Sequence, residues 1–371
     1  MDFTRKQVFA PGRTFSSIRS TYRTQPEPEP AVDGEIVISH TMQLKKELLC
    51  VKYTPASEYI AAGFNDGQIG IFSSHQGKKY FLTDDDIRQS GSPITDLKHR
   101  LYQDTGNRRT ITATYVDGRV KCWDYNKNDC IYTIPEHRIT LGLAYHHSKP
   151  KFVTVGDDAK VFLYDEETKK QEMFFQASES PIYMDGHTSR IFAARFHPQL
   201  NYEFITGGWD STVQFWDMRQ PHSIRYLFGA HVCGDGLDIS IDGNEILTCC
   251  WQKENPLQLW DYTSGKLITN SQPDLQNAML YCGKWITNDL IVCGGSSPNL
   301  LRIVDRRLMV TKASIKEFSR GVYSVDWGEI RTKKPRHRHL ATVKGAPMSR
   351  NGYPLKVAFC AAKKIYECDL I

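Results

Sequence analysis

From about residue 36 onward the apolar residues come in short runs that alternate with polar ones and are broken by Gly, Asp and Asn. A period of two fits strands, whose successive side chains point to opposite faces, and the punctuation fits turns. Residues 59–63, 69–72, 120–123, 151–155, 161–164 and 213–216 are such runs. No amphipathic window of useful helical length interrupts them, which predicts an all-β fold and argues against an alternating α/β arrangement.

Residues 1–35 read differently. Arg5, Lys6, Arg13, Arg19 and Arg23 stand among Ser, Thr and Gly, and the run Gln25-Pro-Glu-Pro-Glu-Pro30 follows. Each Pro fixes its own φ and biases the preceding residue away from helix, so the segment reads as a basic tail and an extended spacer without a core. The domain boundary falls at 35/36.

Many short strands at regular spacing fit a sandwich, a barrel or a propeller, and an internal period decides among them. One unit opens at Gly186-His187, turns at Asp210 and closes at Trp216-Asp217. Degenerate closings stand at Phe72-Ser73, Trp123-Asp124, Tyr164-Asp165, Trp260-Asp261, Val304-Asp305 and Cys368-Asp369, which makes seven units. The turn acid is kept as Asp66, Asp117, Asp158 and Asp210, becomes Glu254, and is lost at Pro298 and Ala362. This pattern resembles the WD-repeat family, strongly in units two to five and weakly in one, six and seven.

The resemblance implies a seven-bladed β-propeller over residues 36–371, each blade a four-stranded antiparallel sheet. It also implies a buried polar chain through Asp210, His187, Thr206 and Trp216, with a second version from Asp158, His137, Thr154 and Tyr164. A nucleophilic triad uses similar residue types, but a triad does not recur along one chain at a structural period. Residues 35–39 are expected to close the ring as the outer strand of blade seven, beside 322–327, 339–343 and 364–368.

Composition narrows the function classes. With 40% hydrophobic and 11% aromatic residues, wholesale disorder is excluded. The first residues lack the apolar run of a signal peptide, and no stretch approaches the roughly 20 apolar residues of a spanning helix. Ten cysteines without a CxxC pair predict free, mostly core thiols in a reduced, cytoplasmic setting. No phosphate loop, dinucleotide fingerprint, nucleophile elbow or HExxH occurs, so neither enzyme activity, a cofactor nor a metal is expected.

Function in a propeller is carried by its loops. The residues before the turn acids, Asn65, Val116, Asp157, Trp209 and Lys253, are expected on the narrower face near the channel. Trp209 is either a partner anchor or a ring packed on the next blade, and Arg190 is expected close by. The interval between the last two closings is 64 residues against 44 for each of the two before it, which predicts an insertion in blade seven.

That insertion holds the basic run 331–339 and the Gly- and Pro-punctuated stretch 344–354. The net charge of +5 resolves into the five tail cations against Asp2 before residue 25, the five cations of 331–338, and a remainder of −4. Arg13, Arg19, Arg23, Lys333, Lys334 and Arg336 are therefore candidate contacts to an acidic surface. No aromatic residues interleave the run, which argues against nucleic acid.

The expectation is a non-enzymatic scaffold that binds several proteins within a larger intracellular assembly. The basic tail suits an acidic polymer such as the microtubule, in a cytoskeletal or ciliary setting. The alternative comes from Trp216-Asp-Met-Arg219 and Val304-Asp-Arg-Arg307. These resemble the pattern by which some WD-repeat proteins serve as substrate receptors of cullin-4 ubiquitin ligases, with Arg219 as the contact. A local Asp-to-Arg ion pair explains the same residues.

Overall fold

The computed structural model describes residues 29–73, 79–100, 109–180, 182–271, 278–331 and 347–371. The described strands form seven antiparallel sheets, the blades of a closed propeller. Blades one to six follow chain order, and within each the strands lie side by side in the order in which they are made. Hairpin connections suffice for such a meander. The predicted closings sit on third strands, for example Thr212–Asp217 in blade four and Leu257–Asp261 in blade five.

Ring closure follows the expected route. Ile36–Gln43 pairs with Lys364–Leu370, Ile36 opposite Leu370 and Gln43 opposite Lys364, so a strand from before blade one and the last strand share blade seven. Its second strand, however, is Leu355–Ala361. Residues 339–343 lie outside the described residues. Ala361 pairs with Lys364 across a two-residue turn, and a hairpin that short demands a partner immediately upstream.

The N-terminal segment contributes one more strand than expected. Ala31–Gly34 pairs with Val310–Lys316 and gives blade six a fifth strand, so pairing begins before residue 36. Gly34 joins this strand to the next. Its φ is +82° and a Cβ there would meet the Lys312 carbonyl oxygen at 2.1 Å, so only glycine fits.

Inner strands are buried on both faces, as in Ile60–Phe64, while an outer strand such as Asp129–Pro135 alternates exposed and covered positions. Apolar side chains meet between neighbouring blades: Val153 and Val155 of blade three pack with Ile191, Phe204 and Trp216 of blade four. One six-residue helix, Asp85–Ser90, joins blades one and two. Asp84 caps it by accepting from the Ile87 N–H at 2.9 Å, and the buried Lys121 ammonium bonds Asp84 at 2.6 Å and Asp86 at 2.9 Å.

Candidate binding faces

In blade four a chain of buried polar groups crosses the sheet. The Trp216 indole N–H donates to Thr206 Oγ1 at 2.7 Å, Thr206 Oγ1 lies 2.7 Å from His187 Nε2, and His187 Nδ1 lies 2.8 Å from Asp210 Oδ2. Every group is satisfied when neutral His187 carries its proton on Nδ1, donates to the carboxylate and accepts the threonine hydroxyl. Blade five has a shorter version, in which Trp260 donates to Thr248 at 3.1 Å and Thr248 donates to Gln258 Oε1 at 3.1 Å.

Blade three does not use His137, which is exposed. Glu136 takes its place: Oε1 accepts the Thr154 hydroxyl at 2.5 Å and the Tyr164 phenol at 2.8 Å, and Oε2 accepts the Thr140 hydroxyl at 2.6 Å. Arg138 donates to Asp158 at 2.9 Å, the contact that His187 supplies in blade four. Counted back from the next strand, Glu136 stands four residues before Thr140 as His187 stands four before Ile191.

The turns between second and third strands crowd one face. The residue after the turn acid adopts positive φ in five blades, at Gly67, Gly118, Ala159, Ser211 and Asn255. The preceding residues therefore project from tight, defined turns. Asn65, Lys253 and Val116 are exposed there. Asp157 is committed, its Oδ1 accepting the Ile139 N–H at 3.0 Å. The Trp209 N–H donates to the Arg190 carbonyl at 2.8 Å, which places Arg190, itself exposed, beside the indole.

Trp209 both packs and protrudes. Its ring lies 5.6 Å from Phe192, 5.5 Å from His231 and 6.4 Å from Trp251, yet it remains 40% exposed. Trp251 continues to Tyr281 at 6.3 Å, and Tyr281 to Tyr323 at 5.0 Å. Six rings thus form an arc across blades four to seven. Sequence reasoning found only Trp209. Phe192, Tyr281 and Tyr323 each occupy the bulge near the start of an innermost strand, a position that pairing, not period, defines.

Arg219 lies away from this arc. Its guanidinium makes a bidentate pair with Asp217, at 2.8 Å and 2.5 Å, and sits 4.4 Å from the Tyr202 ring centroid. The local ion pair accounts for the Asp-to-Arg spacing there. Arg307 instead reaches Asp289 at 2.7 Å. Arg13, Arg19, Arg23, Lys333, Lys334 and Arg336 lie outside the described residues.

The central channel holds a second feature that sequence reasoning missed. At one register of the seven innermost strands stand Lys52, Lys98, Ala144, Arg195, Asp238, Lys284 and Asp326. In six of the seven first strands, all but that of blade three, a charged residue stands directly before an apolar or ring-bearing one, and that was the available signal. Asp235 joins the ring, accepting Arg195 at 2.5 Å and Lys98 at 3.0 Å. Asp326 Oδ1 accepts Lys284 at 2.9 Å and Lys52 at 3.3 Å, while Oδ2 accepts the Tyr53 N–H of blade one at 2.8 Å.

Burial pushes these carboxyls up, but the surrounding cations outweigh it and hold Asp235 and Asp326 far below the ordinary carboxylate range. Lys52 moves the other way. Burial lowers it to about 7, Lys284 and Lys98 add to the effect, and Asp326 offsets only part of it. Lys284, the closer to Asp326, is held above the ordinary lysine value despite burial.

The chain was compared with known proteins. The family model "WD domain, G-beta repeat" matches residues 179–217, the unit with the complete polar chain. Similar proteins include Periodic tryptophan protein 2 of Arabidopsis thaliana, 23% identical over 76% of this chain and 27% of that protein. The Ribosome biogenesis protein WDR12 homolog of Anopheles gambiae is 24% identical over 54% of this chain and 46% of its own length. The Probable coatomer subunit beta' of Schizosaccharomyces pombe is 24% identical over 46% of this chain and 22% of its own length. The matched part spans less than half the length of each of these relatives. No helix among the described residues is long and apolar enough to cross a membrane.

Proposed function

Because the chain belongs to the WD-repeat β-propeller family, whose members mostly act as non-enzymatic scaffolds and generally bind proteins, we propose that it docks protein partners on the aromatic arc around Trp209. The observation that carries this reading is the arc itself: six contiguous rings on one face, with Trp209 40% and Tyr323 38% exposed. Rigid aromatic side chains supply large contact areas at small entropic cost and dominate binding energy at interfaces. Trp209 and Arg190 are the anchors, and Asn65 and Lys253 extend the face. The names of the relatives span ribosome biogenesis and a coatomer, so similarity selects no single assembly.

The finer proposal is an acidic partner surface, such as the microtubule, lined by the basic residues before residue 25. Affinity purification with mass spectrometry from the native cell, comparing wild type with Trp209→Ala, tests the docking face. Partners lost from a variant with unchanged thermal stability support it, and an unchanged partner set refutes it. Co-sedimentation with microtubules before and after deletion of residues 1–30 tests the finer proposal. Salt-sensitive binding that survives the deletion overturns it.

A further inference from the structure

The opposite end of the channel, where the innermost strands finish, opens into a cavity of about 1010 Å³. The charged ring forms its floor, with Tyr59, Tyr80 and Trp327 among its walls. The volume is that of a small-molecule site. The hydrogen-bond balance of the floor decides what it would hold.

Its carboxylates are engaged at every oxygen. Asp326 and Asp235 accept as described above. Asp238 accepts the Ile239 N–H at 3.1 Å on one oxygen and the Trp285 N–H at 3.0 Å on the other. Asp96 accepts the Leu97 N–H at 2.8 Å and the Leu143 N–H at 3.2 Å.

The donors are not so engaged. An ammonium group carries three N–H bonds. Among the described residues Lys52 meets an acceptor within bonding distance only at Asp326, 3.3 Å away, and its approach to Asp235 is 4.0 Å. Lys284 reaches Asp326 at 2.9 Å and stands 3.7 Å from Asp235, and Lys98 reaches Asp96 at 3.1 Å and Asp235 at 3.0 Å. The buried Trp285 indole N–H, on a residue that also lines the cavity, has no protein acceptor among the described residues. The floor therefore has donors in excess and carboxylates already occupied, while the wall adds one exposed carboxylate, Glu58.

We propose that this cavity binds a small organic polyanion, a phosphate ester or a polycarboxylate, whose oxygens take up the unused N–H groups of Lys52, Lys98 and Lys284. Charge-assisted bonds of this kind are the strong ones. Such a ligand lies at the opposite end of the channel from the aromatic arc, so the two sites fail or stand independently.

Lys52 gives the site a signature. It faces Asp326 of blade seven, Lys284 of blade six, Asp235 before blade five, and Lys98 and His99 of blade two. Burial pushes His99 down to about 4, so it is neutral near pH 7. Lys52, lowered to about 7, is then only partly protonated near pH 7, and a bound anion restores its proton.

Isothermal titration calorimetry on the full chain with sodium pyrophosphate and with citrate tests this. The expected result at pH 7 is saturable one-site binding of at least one probe, with uptake of a fraction of a proton. Titration in buffers of different ionisation enthalpy reads that fraction, and with citrate, itself fully ionised by about pH 8, it grows from pH 7 to about pH 8 as free Lys52 loses its proton. Pyrophosphate alone identifies a phosphate ester as the ligand chemistry, and citrate alone a polycarboxylate. Lys52→Met weakens binding by about ten- to a hundredfold, and exposed Lys170→Ala leaves it unchanged. The proton-uptake measurement needs only wild-type protein and so stands even where the variant does not fold. Absence of saturable binding at about 10 mM probe, or binding without proton uptake that Lys52→Met does not weaken, overturns the proposal.

Discussion

Thr206→Val isolates the polar chain of blade four from packing. Valine keeps the shape of threonine, and position 206 is fully buried, so no cavity opens and no surface is exposed. Two groups lose their partner: the Trp216 indole N–H, bonded at 2.7 Å, and His187 Nε2, also at 2.7 Å. Each stranded buried group costs about 1–3 kcal/mol, and the two share one hydroxyl, so the expected loss is roughly 2–4 kcal/mol. At about 2.1 cal/mol/K of unfolding entropy per residue, that lowers the melting temperature by roughly 3–6 °C. Thr248→Val in blade five is the internal comparison. Its two bonds are longer, at 3.1 Å, and Gln258 Oε1 keeps a Cys250 thiol at 3.7 Å, so the loss is smaller, about 1–2 kcal/mol. Urea unfolding with linear extrapolation measures both. A Thr206→Val protein within about 0.5 kcal/mol of wild type, or one less affected than Thr248→Val, refutes the reasoning.

His187→Ala removes the acceptor of the Thr206 hydroxyl and one donor to Asp210, whose Oδ2 keeps the Thr188 N–H at 2.9 Å, and is expected to cost about 1–3 kcal/mol in the same unfolding assay. A normal melting temperature would sink the assignment of this chain as structural. Asp326→Ala leaves Lys52, Lys284 and the Tyr53 N–H without their carboxylate at the junction of blades seven and one, with an expected loss of about 3–5 kcal/mol. Asp326→Asn, which keeps an acceptor for Tyr53, is expected to lose less, and equal losses would show that the missing charge carries the whole effect and the Tyr53 acceptor none of it. Stability is expected to fall with pH below about 6.5, because burial lowers His99 and His146 to about 4 and the unfolded chain binds protons there that the folded chain refuses. Below about 4, where unfolded carboxyls protonate, Asp235 and Asp326 extend the loss, since their depressed values stabilise the fold only above that range. Unfolding free energies measured at pH 7 and about 4.5 check the sign, and equal values refute it.

The repeat was legible because its closing residues do physical work at fixed positions. Trp216 fills the core between blades three and four and donates to Thr206, and Asp217 ends the strand, so the pair recurs wherever a third strand ends. Blade three shows where residue identity misleads. His137 looks like the Gly-His histidine, but distance to the next strand assigns the position to Glu136, with Arg138 completing the contact to the turn acid. Blade seven shows the limit of apolar alternation, which fits 339–343 and Leu355–Ala361 alike until the short turn before Lys364 selects the second. The arc and the charged ring were illegible for a different reason. Their members are far apart in sequence and meet only because seven first strands converge on one axis.

The described chain enters the propeller at Ala31–Gly34, on the outer edge of blade six, and that makes the contributions of the preceding residues and of the aromatic arc separable by experiment. Ala31 pairs with Lys316, at the end of the outer strand of blade six. From there the chain crosses directly to Val322, whose neighbour Tyr323 terminates the arc. A partner docked on the arc, as proposed above, would lie on the side of blades six and seven at which the described chain begins its first strand. When both contact the same partner, the second contact forms intramolecularly, and its gain comes from effective concentration, not from new affinity. Deleting residues 1–28 or introducing Trp209→Ala then each forfeits that gain, and the double variant cannot forfeit it twice. The expected outcome in a binding assay with a partner lost by Trp209→Ala is a combined loss, on a logarithmic scale, smaller than the sum of the separate losses. Losses that add, or a deletion that leaves the affinity untouched, would mean that the tail and the arc serve different partners.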